Sequence, residues 1–136
     1  TKRKYRALVW GIVQEDEGRI EGNIGRDPRD RMQMTVFPEG DQGKTAVTHY
    51  TVLERLGYVS LVECRLEAGR THQIRVQFAS RGMPLVGDRR YGDAADADTP
   101  IALWSAGLAF RHPETGKAMA FELAPPQETP WSWFQA

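Results

Sequence analysis

The sequence is poor in cysteine and histidine, with one cysteine and three histidines among its 136 residues. Cys64 alone cannot form an internal disulfide, so the fold has to rest on an apolar core. His49, His72 and His112 do not have the spacing of zinc ligands, and we expect no metal. These shortages exclude disulfide-stapled and zinc-binding scaffolds, and they fit a cytoplasmic location.

Long apolar runs are also absent. No stretch approaches the roughly 20 apolar residues that a membrane helix needs, and the charged start, Thr1–Arg6, is unlike a signal peptide. The glycine-rich loop of phosphate-binding enzymes and the Gly-x-Ser-x-Gly elbow of hydrolases are missing as well. The sequence therefore favours neither a membrane protein nor these two enzyme classes.

Separated charge is the first positive feature. The formal net charge is zero, with 18 basic and 18 acidic residues, yet the acids gather at Glu15–Glu17 and Asp93–Asp98. A basic face attracts phosphate even on a neutral protein. Arginines that only solvate loops and strand edges would give the same pattern, so charge alone does not decide. The clustered basic residues are Lys2, Arg3, Lys4, Arg6, Arg26, Arg29, Arg31, Arg70, Arg75, Arg81, Arg89 and Arg90.

Alternation of apolar and polar residues predicts strands along most of the chain. We therefore expect a single α+β domain over residues 1–136, with a mostly antiparallel mixed sheet and few helices. The segment Arg26–Gln33 is predicted as a charged loop. The predicted strands are Lys4–Val13, Gly18–Gly25, Thr45–Leu56, Val59–Glu67, Leu103–Arg111 and Ala118–Leu123, and further loops are predicted at Pro38–Gly43 and Asp93–Pro100.

One helix is predicted over His72–Arg81, where the apolar period changes. Thr71 is the expected N-cap, and Gly82 follows the helix end. Ile74 and Phe78 are four residues apart, so they lie on one face of the helix and should point to the sheet.

The start of this helix concentrates polar groups. Gly69–Arg75 reads Gly-Arg-Thr-His-Gln-Ile-Arg, and a helix N-terminus offers free N–H groups to anions. Arg70 and Arg75 carry planar forks that bind carboxylate or phosphate through two hydrogen bonds. An N-capped amphipathic helix with solvated arginines explains the segment equally well.

Two further segments hold candidate residues. Tyr50, on a predicted strand, has the flat ring needed to stack on a nucleic-acid base; a core-edge tyrosine with a hydrated hydroxyl is the more ordinary explanation. Asp88 lies between Gly87 and Arg89, and we favour a structural role for it, in capping a turn or holding an arginine.

Taken in order, these segments resemble the RluA-type pseudouridine synthases, enzymes of ribosomal and transfer RNA. Gly69–Arg75 reproduces the family's Gly-Arg-Thr-His-Gln-Ile-Arg in full. The other matches, from the N- to the C-terminus, are Lys4–Gly11, Arg31–Met34, Lys44–Tyr50, Pro84–Gly92 and Leu108–Gly116. Six ordered matches running nearly end to end make the resemblance specific.

The resemblance implies that uridine in ribosomal or transfer RNA is isomerised to pseudouridine without a metal or organic cofactor. The uracil is cut from C1′, turned and rejoined through carbon, which requires a nucleotide flipped out of its stack. By motif, Tyr50 stacks on the uracil and is a candidate to take the C5 proton, while Arg75 pairs with the catalytic aspartate. Ile74 would form an apolar pocket wall. The remaining residues expected to bind substrate are Arg70, Thr71, His72 and Gln73.

The family's catalytic aspartate belongs to an Arg-Leu-Asp motif, which the resemblance places before the strand that starts at Lys4. No such motif occurs in the 136 residues. We therefore expect the chain to be the C-terminal portion of one catalytic domain and to be inactive alone. Without its carboxylate, Arg75 is expected to be solvated or to hold a borrowed anion.

Two other interpretations stay open at this point. The chain is alternatively a non-catalytic RNA-binding module that kept the basic face, or a stable β-rich domain with no retained ligand. Sheet edges and apolar surface left uncovered by a missing segment would also favour self-association.

Overall fold

The computed structural model describes residues 2–38, 42–67, 69–92, 94–96 and 98–134. Within these ranges, seven strands form one sheet and a single α-helix packs against it. Short 3₁₀ turns lie at Ala94–Asp96 and Trp131–Phe134. The elements in chain order are β1 (Lys2–Trp10), β2 (Glu17–Asp27), β3 (Asp30–Phe37), β4 (Lys44–Leu56), β5 (Val59–Leu66), α1 (Gln73–Ser80), β6 (Leu103–Arg111) and β7 (Ala118–Glu122).

The sheet has the order β3-β2-β4-β5-β1-β6-β7, and every neighbouring pair of strands is antiparallel. Three of these pairs, β2–β3, β4–β5 and β6–β7, join strands that follow one another in the chain, as short connections favour. β1 instead enters between β5 and β6, so the first strand lies inside the sheet. The α+β, mostly antiparallel architecture predicted from the sequence is confirmed.

The prediction of a loop at Arg26–Gln33 is wrong, because this segment forms the tip of the β2–β3 hairpin. β2 continues to Asp27 and β3 begins at Asp30. The Asp27 Oδ1 atom accepts the backbone N–H of Arg29 at 2.9 Å and so holds the turn. Most of these residues are exposed, and a strand that projects into water needs no alternation of apolar side chains.

β1 buries both of its faces, as its alternating sequence predicts. Ala7 and Val9 join the core cluster beneath α1. Leu8 joins the opposite cluster with Val86 and Ala102, and the C-terminal aromatic residues pack against that side. Each face of the sheet at β1 therefore has a cover, which is why residues 7–9 are all apolar and fully buried.

α1 begins at Gln73, and the residue in its N-cap position is His72 rather than the predicted Thr71. His72 has left-handed backbone angles, φ 55° and ψ 24°, and its side chain makes no capping hydrogen bond. This left-handed residue separates Thr71 from the first helical turn, so the capping prediction is wrong. The predicted sheet contact of Ile74 and Phe78 is confirmed, since both are buried in the cluster beneath the helix.

No helix in the described part of the chain is long and apolar enough to cross a membrane. The predicted loops Pro38–Gly43 and Asp93–Pro100 fall partly on residues 39–41, 93 and 97, which lie outside the described residues.

Candidate active site

Tyr50 lies on β4 and points to the face of the sheet that α1 covers. It is 7% exposed and packs edge-on against Phe78, with the ring centroids 6.1 Å apart. The ring extends over Gly18, its cross-strand partner on β2. A Cβ atom built on Gly18 would lie 2.5 Å from the Tyr50 hydroxyl oxygen, so glycine at this position leaves the space that the tyrosine occupies.

Buried polar side chains fix α1 against β4. The Gln73 Nε2 group donates to the Val47 carbonyl at 3.1 Å and to the Thr48 hydroxyl at 2.9 Å. The Thr48 hydroxyl donates in turn to Gln77 Oε1 at 2.5 Å. A buried polar group left without a partner costs about 1–3 kcal/mol, so this network resists any shift of the helix. Gln73, predicted to bind substrate, directs its amide N–H groups to β4.

The other predicted substrate-binding residues have different surroundings. Arg70 donates from Nε to the Thr45 carbonyl at 3.1 Å, and its backbone N–H donates to Gln73. Thr71 is exposed beside it. Ile74 is 4% exposed and belongs to the same apolar cluster as Tyr50. The structure thus brings Ile74 to Tyr50 and leaves Thr71 at the surface.

Arg75 forms a two-bond ion pair with Asp88, in the loop that follows α1. The Arg75 Nε and Nη2 atoms donate to the two carboxylate oxygens at 2.9 and 2.8 Å. The Asp88 side chain is fully buried and that of Arg75 is 20% exposed. The prediction that Arg75 would be solvated or hold a borrowed anion is therefore wrong.

Asp88 has the structural role that the sequence predicts, because it both caps a turn and holds an arginine. Its Oδ1 atom accepts the backbone N–H groups of Arg90 and Tyr91, each at 3.0 Å. The sequence does not show that the arginine it holds is Arg75, because the pairing depends on how the loop folds back onto the helix.

The surroundings of Asp88 favour its ionised form. Burial is the largest single influence and acts to raise the pKa, but the hydrogen bond from Arg75, the N–H groups of Tyr91 and Arg90, and the charge of Arg75 together outweigh it. The net result is a pKa below the usual value for an aspartate. Arg75 therefore keeps a charged partner across the physiological pH range.

His72 is held in its left-handed conformation by Tyr91. The Nδ1 atom of His72 lies 2.8 Å from the Tyr91 hydroxyl, which also accepts the backbone N–H of Met34 on β3 at 2.8 Å. Burial lowers the pKa of His72, and the charges of Arg75 and Arg90 lower it further. Nδ1 of His72 is therefore engaged with Tyr91, and Nε2 is the ring nitrogen outside this contact.

A cavity of about 400 Å³ opens between β3 and the loop after α1. Three of the residues that line it are arginines, and none is acidic. The lining residues are Gln33, His72, Arg75, Arg89 and Arg90.

Tyr50 and Arg75 lie on the same side of the sheet, because Arg75 belongs to the helix that covers Tyr50. Arg75 lines the cavity beside β3, whereas Tyr50 is packed beneath Phe78 and does not line it.

Sequence reasoning missed four residues of this region: Gln33, Gln77, Arg90 and Tyr91. Gln77 is buried and hydrogen-bonds to Thr48 and to the Ala46 carbonyl. Tyr91 stood in a recognised motif, but its hydroxyl contacts β3, and no local pattern signals a partner 57 residues away. Only the paired glycines and the Asp88–Tyr91 spacing could have indicated a tight turn.

Chemistry based on a metal or a thiolate finds no support in the described residues. No group of three or more His, Cys, Asp or Glu side chains among them could hold a metal ion. Burial raises the pKa of Cys64 to about 12, so this residue is an uncharged thiol in the core.

The fold and this region together define a class of protein. A sequence model described as RNA pseudouridylate synthase matches residues 1–80 of the chain. This is more than half of the 136 residues, and the chain belongs to that family. The resemblance drawn from the six motifs is confirmed.

Individual relatives agree with this assignment. The chain is 48% identical to the Uncharacterized RNA pseudouridine synthase YlyB of Bacillus subtilis over 127 residues, which cover 93% of this chain and 41% of that protein. It is 45% identical to the Ribosomal large subunit pseudouridine synthase D of Neisseria meningitidis serogroup A over 139 residues, which cover 93% of this chain and 36% of that protein. The chain thus spans less than half the length of these curated relatives.

Solved structures give the same picture. Human RNA Pseudouridylate Synthase Domain Containing 1 superposes with a TM-score of 0.77 at 31% identity, over 92% of this chain and 55% of that one. Human RNA Pseudouridylate Synthase Domain Containing 4 shares the fold, with a TM-score of 0.73 at 22% identity.

Proposed function

We propose that this chain supplies the base-binding half of an RNA pseudouridine synthase active site, an isomerase that converts uridine to pseudouridine without a cofactor. The observation that carries the proposal is the arrangement on β4 and α1: an aromatic ring under the helix, with Ile74 beside it and an arginine on the next residue of the same helix. Family membership supports the reaction class.

The proposed roles follow from the side chains. The small accessible part of Tyr50 contacts the uracil, and its hydroxyl is the candidate acceptor of the C5 proton. Ile74 closes the apolar side of the pocket. Arg75 uses Nε and Nη2 on Asp88, while its Nη1 group makes no hydrogen bond within the described residues. Nη1 is therefore the atom that would meet a catalytic carboxylate.

The remaining substrate-binding candidates divide into two groups under this proposal; they are Arg70, Thr71, His72 and Gln73. Arg70 and Gln73 hydrogen-bond to β4 and hold the helix start in place. Thr71 and His72 lie on the open side and contact the RNA. The Arg-Leu-Asp motif does not occur in the sequence, so the 136 residues by themselves are expected to be inactive.

The test joins this chain to the N-terminal segment of the Bacillus subtilis relative and measures tritium release from RNA labelled at C5 of uridine. Tritium leaves C5 when the C5–C1′ bond replaces the N1–C1′ bond. We expect release by the chimera and none by the chain alone. Tyr50→Phe and Arg75→Lys should each reduce release at least about a hundredfold, the usual contribution of a proton-transfer or charge-stabilising group.

The controls are Tyr58→Phe and Arg81→Lys, both at exposed positions, and both should keep the full rate. Thermal unfolding of each variant establishes that it is folded. A folded chimera that binds RNA but releases no tritium would instead support the non-catalytic RNA-binding module.

Two narrower parts of the proposal concern the RNA substrate and the cellular compartment in which the protein acts. Ribosomal large-subunit RNA is the first substrate to test, because the name of the Neisseria relative specifies it; transfer RNA is the comparison. A reduced, buried Cys64 is consistent with action in the cytoplasm.

We also propose that the chain self-associates through β7. This strand is an edge of the sheet, and Phe121 on it is 56% exposed, with Leu123 just beyond it 65% exposed. Unpaired edge groups beside exposed apolar side chains are a surface that a second copy can cover.

A further inference from the structure

We propose that the cavity between β3 and the loop after α1 binds one backbone phosphodiester of the RNA, next to the flipped nucleotide. The inference rests on the proposed function, because it takes RNA as the ligand. It goes further by assigning a phosphate-binding role to Gln33, Arg89 and Arg90, none of which is among the site residues that the resemblance implies.

The cavity is built from parts of the chain that are far apart in sequence, and hydrogen bonds hold them together. The Arg90 Nη1 atom donates to the Met32 carbonyl at 2.7 Å, and the backbone N–H of Met34 donates to the Tyr91 hydroxyl. These bonds fix β3 to the loop on either side of Gln33. The walls are therefore positioned before any ligand arrives, which reduces the ordering cost of binding.

Hydrogen-bond donors converge on the cavity. Arg75 lines the cavity and contributes its positive charge, while its Nη1 group stays assigned to the catalytic carboxylate. His72 presents Nε2, because Nδ1 is engaged by Tyr91. Gln33, Arg89 and Arg90 complete the lining. Several donors around one opening suit an oxyanion rather than a neutral base edge.

The charge balance also favours an anion. Six arginines and three aspartates lie in the hairpin tip (residues 26–33), the cavity lining and residues 84–92. The three acids are engaged: Asp27 with Arg29, Asp30 with the Met32 N–H, and Asp88 with Arg75. Positive charge therefore exceeds negative charge around the opening, and the arginines are Arg26, Arg29, Arg31, Arg75, Arg89 and Arg90.

The position of the site relative to the flipped base follows from Arg75. The same guanidinium lines the cavity and belongs to the helix that covers Tyr50. A phosphodiester bound here would thus be within one or two linkages of the target uridine. A phosphate ester fits a cavity of about 400 Å³ with room for its two sugars.

The experiment uses the 136-residue chain and short single-stranded RNAs that contain one uridine. Each RNA carries one neutral methylphosphonate in place of a phosphodiester. We expect one linkage beside the uridine to stand out, with affinity reduced about tenfold by the substitution. In the double variant Arg89→Gln/Arg90→Gln, methylphosphonate at that linkage should not reduce the affinity further. The slope of log affinity against log salt should also become shallower by about 1 in the variant.

Arg81→Gln is the matched control, because it removes one exposed arginine outside the cavity lining; it should keep the position-specific loss. Glutamine at position 90 retains an N–H donor for the Met32 carbonyl, and Arg90→Lys gives a second variant that keeps the charge. Free inorganic phosphate should compete only weakly if the site recognises a diester within RNA.

Equal losses at every linkage, or a position-specific loss that persists undiminished in the double variant, would overturn the phosphate site. This result is independent of catalysis, because it measures binding by the chain alone. If the chimera releases tritium but no linkage is sensitive to methylphosphonate, only the phosphate site is contradicted. If one linkage is sensitive to methylphosphonate but the chimera releases no tritium, only the proposed reaction is contradicted.

Discussion

At the scale of single residues, glycine and tyrosine at positions 18 and 50 form a pair that neither residue explains alone. Gly18 faces Tyr50 across β2 and β4, and the ring fills the volume that any side chain at position 18 would need. The orientation of the candidate catalytic tyrosine is therefore set partly by the absence of a Cβ on the next strand.

Gly18→Ala should displace the Tyr50 ring and reduce the free energy of unfolding by about 1–2 kcal/mol, because overpacking outweighs the small gain from removing a glycine. Chemical denaturation measures the change. Gly69→Ala is the control for stability, since a Cβ there meets nothing within 4 Å, and it should be neutral or slightly stabilising. Equal stability of the two variants would contradict the close packing of Tyr50.

The ion pair between Arg75 and Asp88 makes stability depend on pH. The pKa of Asp88 is lowered in the folded protein, so the unfolded chain takes up its proton first as the solution is acidified. The stabilisation is fully present above the unfolded value of about 3.9. It is lost as the pH falls through the lower, folded value.

Asp88→Asn should reduce the free energy of unfolding at pH 7 by about 2–3 kcal/mol, because it leaves a half-buried guanidinium without a charge partner. The difference from the unsubstituted protein should shrink as the pH is lowered below about 4. Urea unfolding at several pH values measures it. Glu114→Gln, at an exposed position, should leave the profile unchanged, and a difference that did not vary with pH would exclude this linkage.

At the scale of elements, β2 joins the β2–β3 hairpin to β4, and the loop after α1 makes a second attachment, to β3. The tip of the hairpin is a charged segment that sequence analysis assigned to a loop. Because β3 pairs with β2, Gln33 is placed in the wall of the cavity that we propose for a phosphate. The strands with buried faces were predicted well, because alternation of side chains is a direct consequence of having a core side and a solvent side.

Tyr91→Phe should loosen this hairpin, because it removes the acceptor of the Met34 N–H and the partner of His72. We expect amide hydrogen exchange at Met34 to become about fivefold to tenfold faster, as the loss of about 1 kcal/mol implies. Exchange in β4 and β5 should not change. Tyr58→Phe, 79% exposed, is the control, and unaltered exchange at Met34 would show that the hairpin is held in another way.

At the scale of the whole molecule, β1 occupies an inner position in a sheet whose edges are β3 and β7. We expect self-association through β7 to appear as a rise in mass with concentration in light scattering. Phe121→Lys should abolish it, since a lysine on an edge strand opposes pairing. Met32→Lys is the control, because Met32 is 73% exposed on the other edge strand. A protein that remains monomeric at high concentration would contradict the proposal.

The sequence by itself determined the family, the helix and most strands. Motifs such as Gly69–Arg75 and the alternation in β1, β4 and β5 are local, and local spacing is what a sequence displays. It also indicated that Asp88 is structural.

The tertiary structure alone decided which groups meet. Asp88 reaches Arg75, Tyr91 reaches both His72 and the backbone of β3, and Gly18 receives the ring of Tyr50. Each contact joins segments through the strand order and the return of the loop onto the helix. These long-range pairings follow from the global packing of the sheet, and they cannot be predicted from the spacing of residues along the sequence.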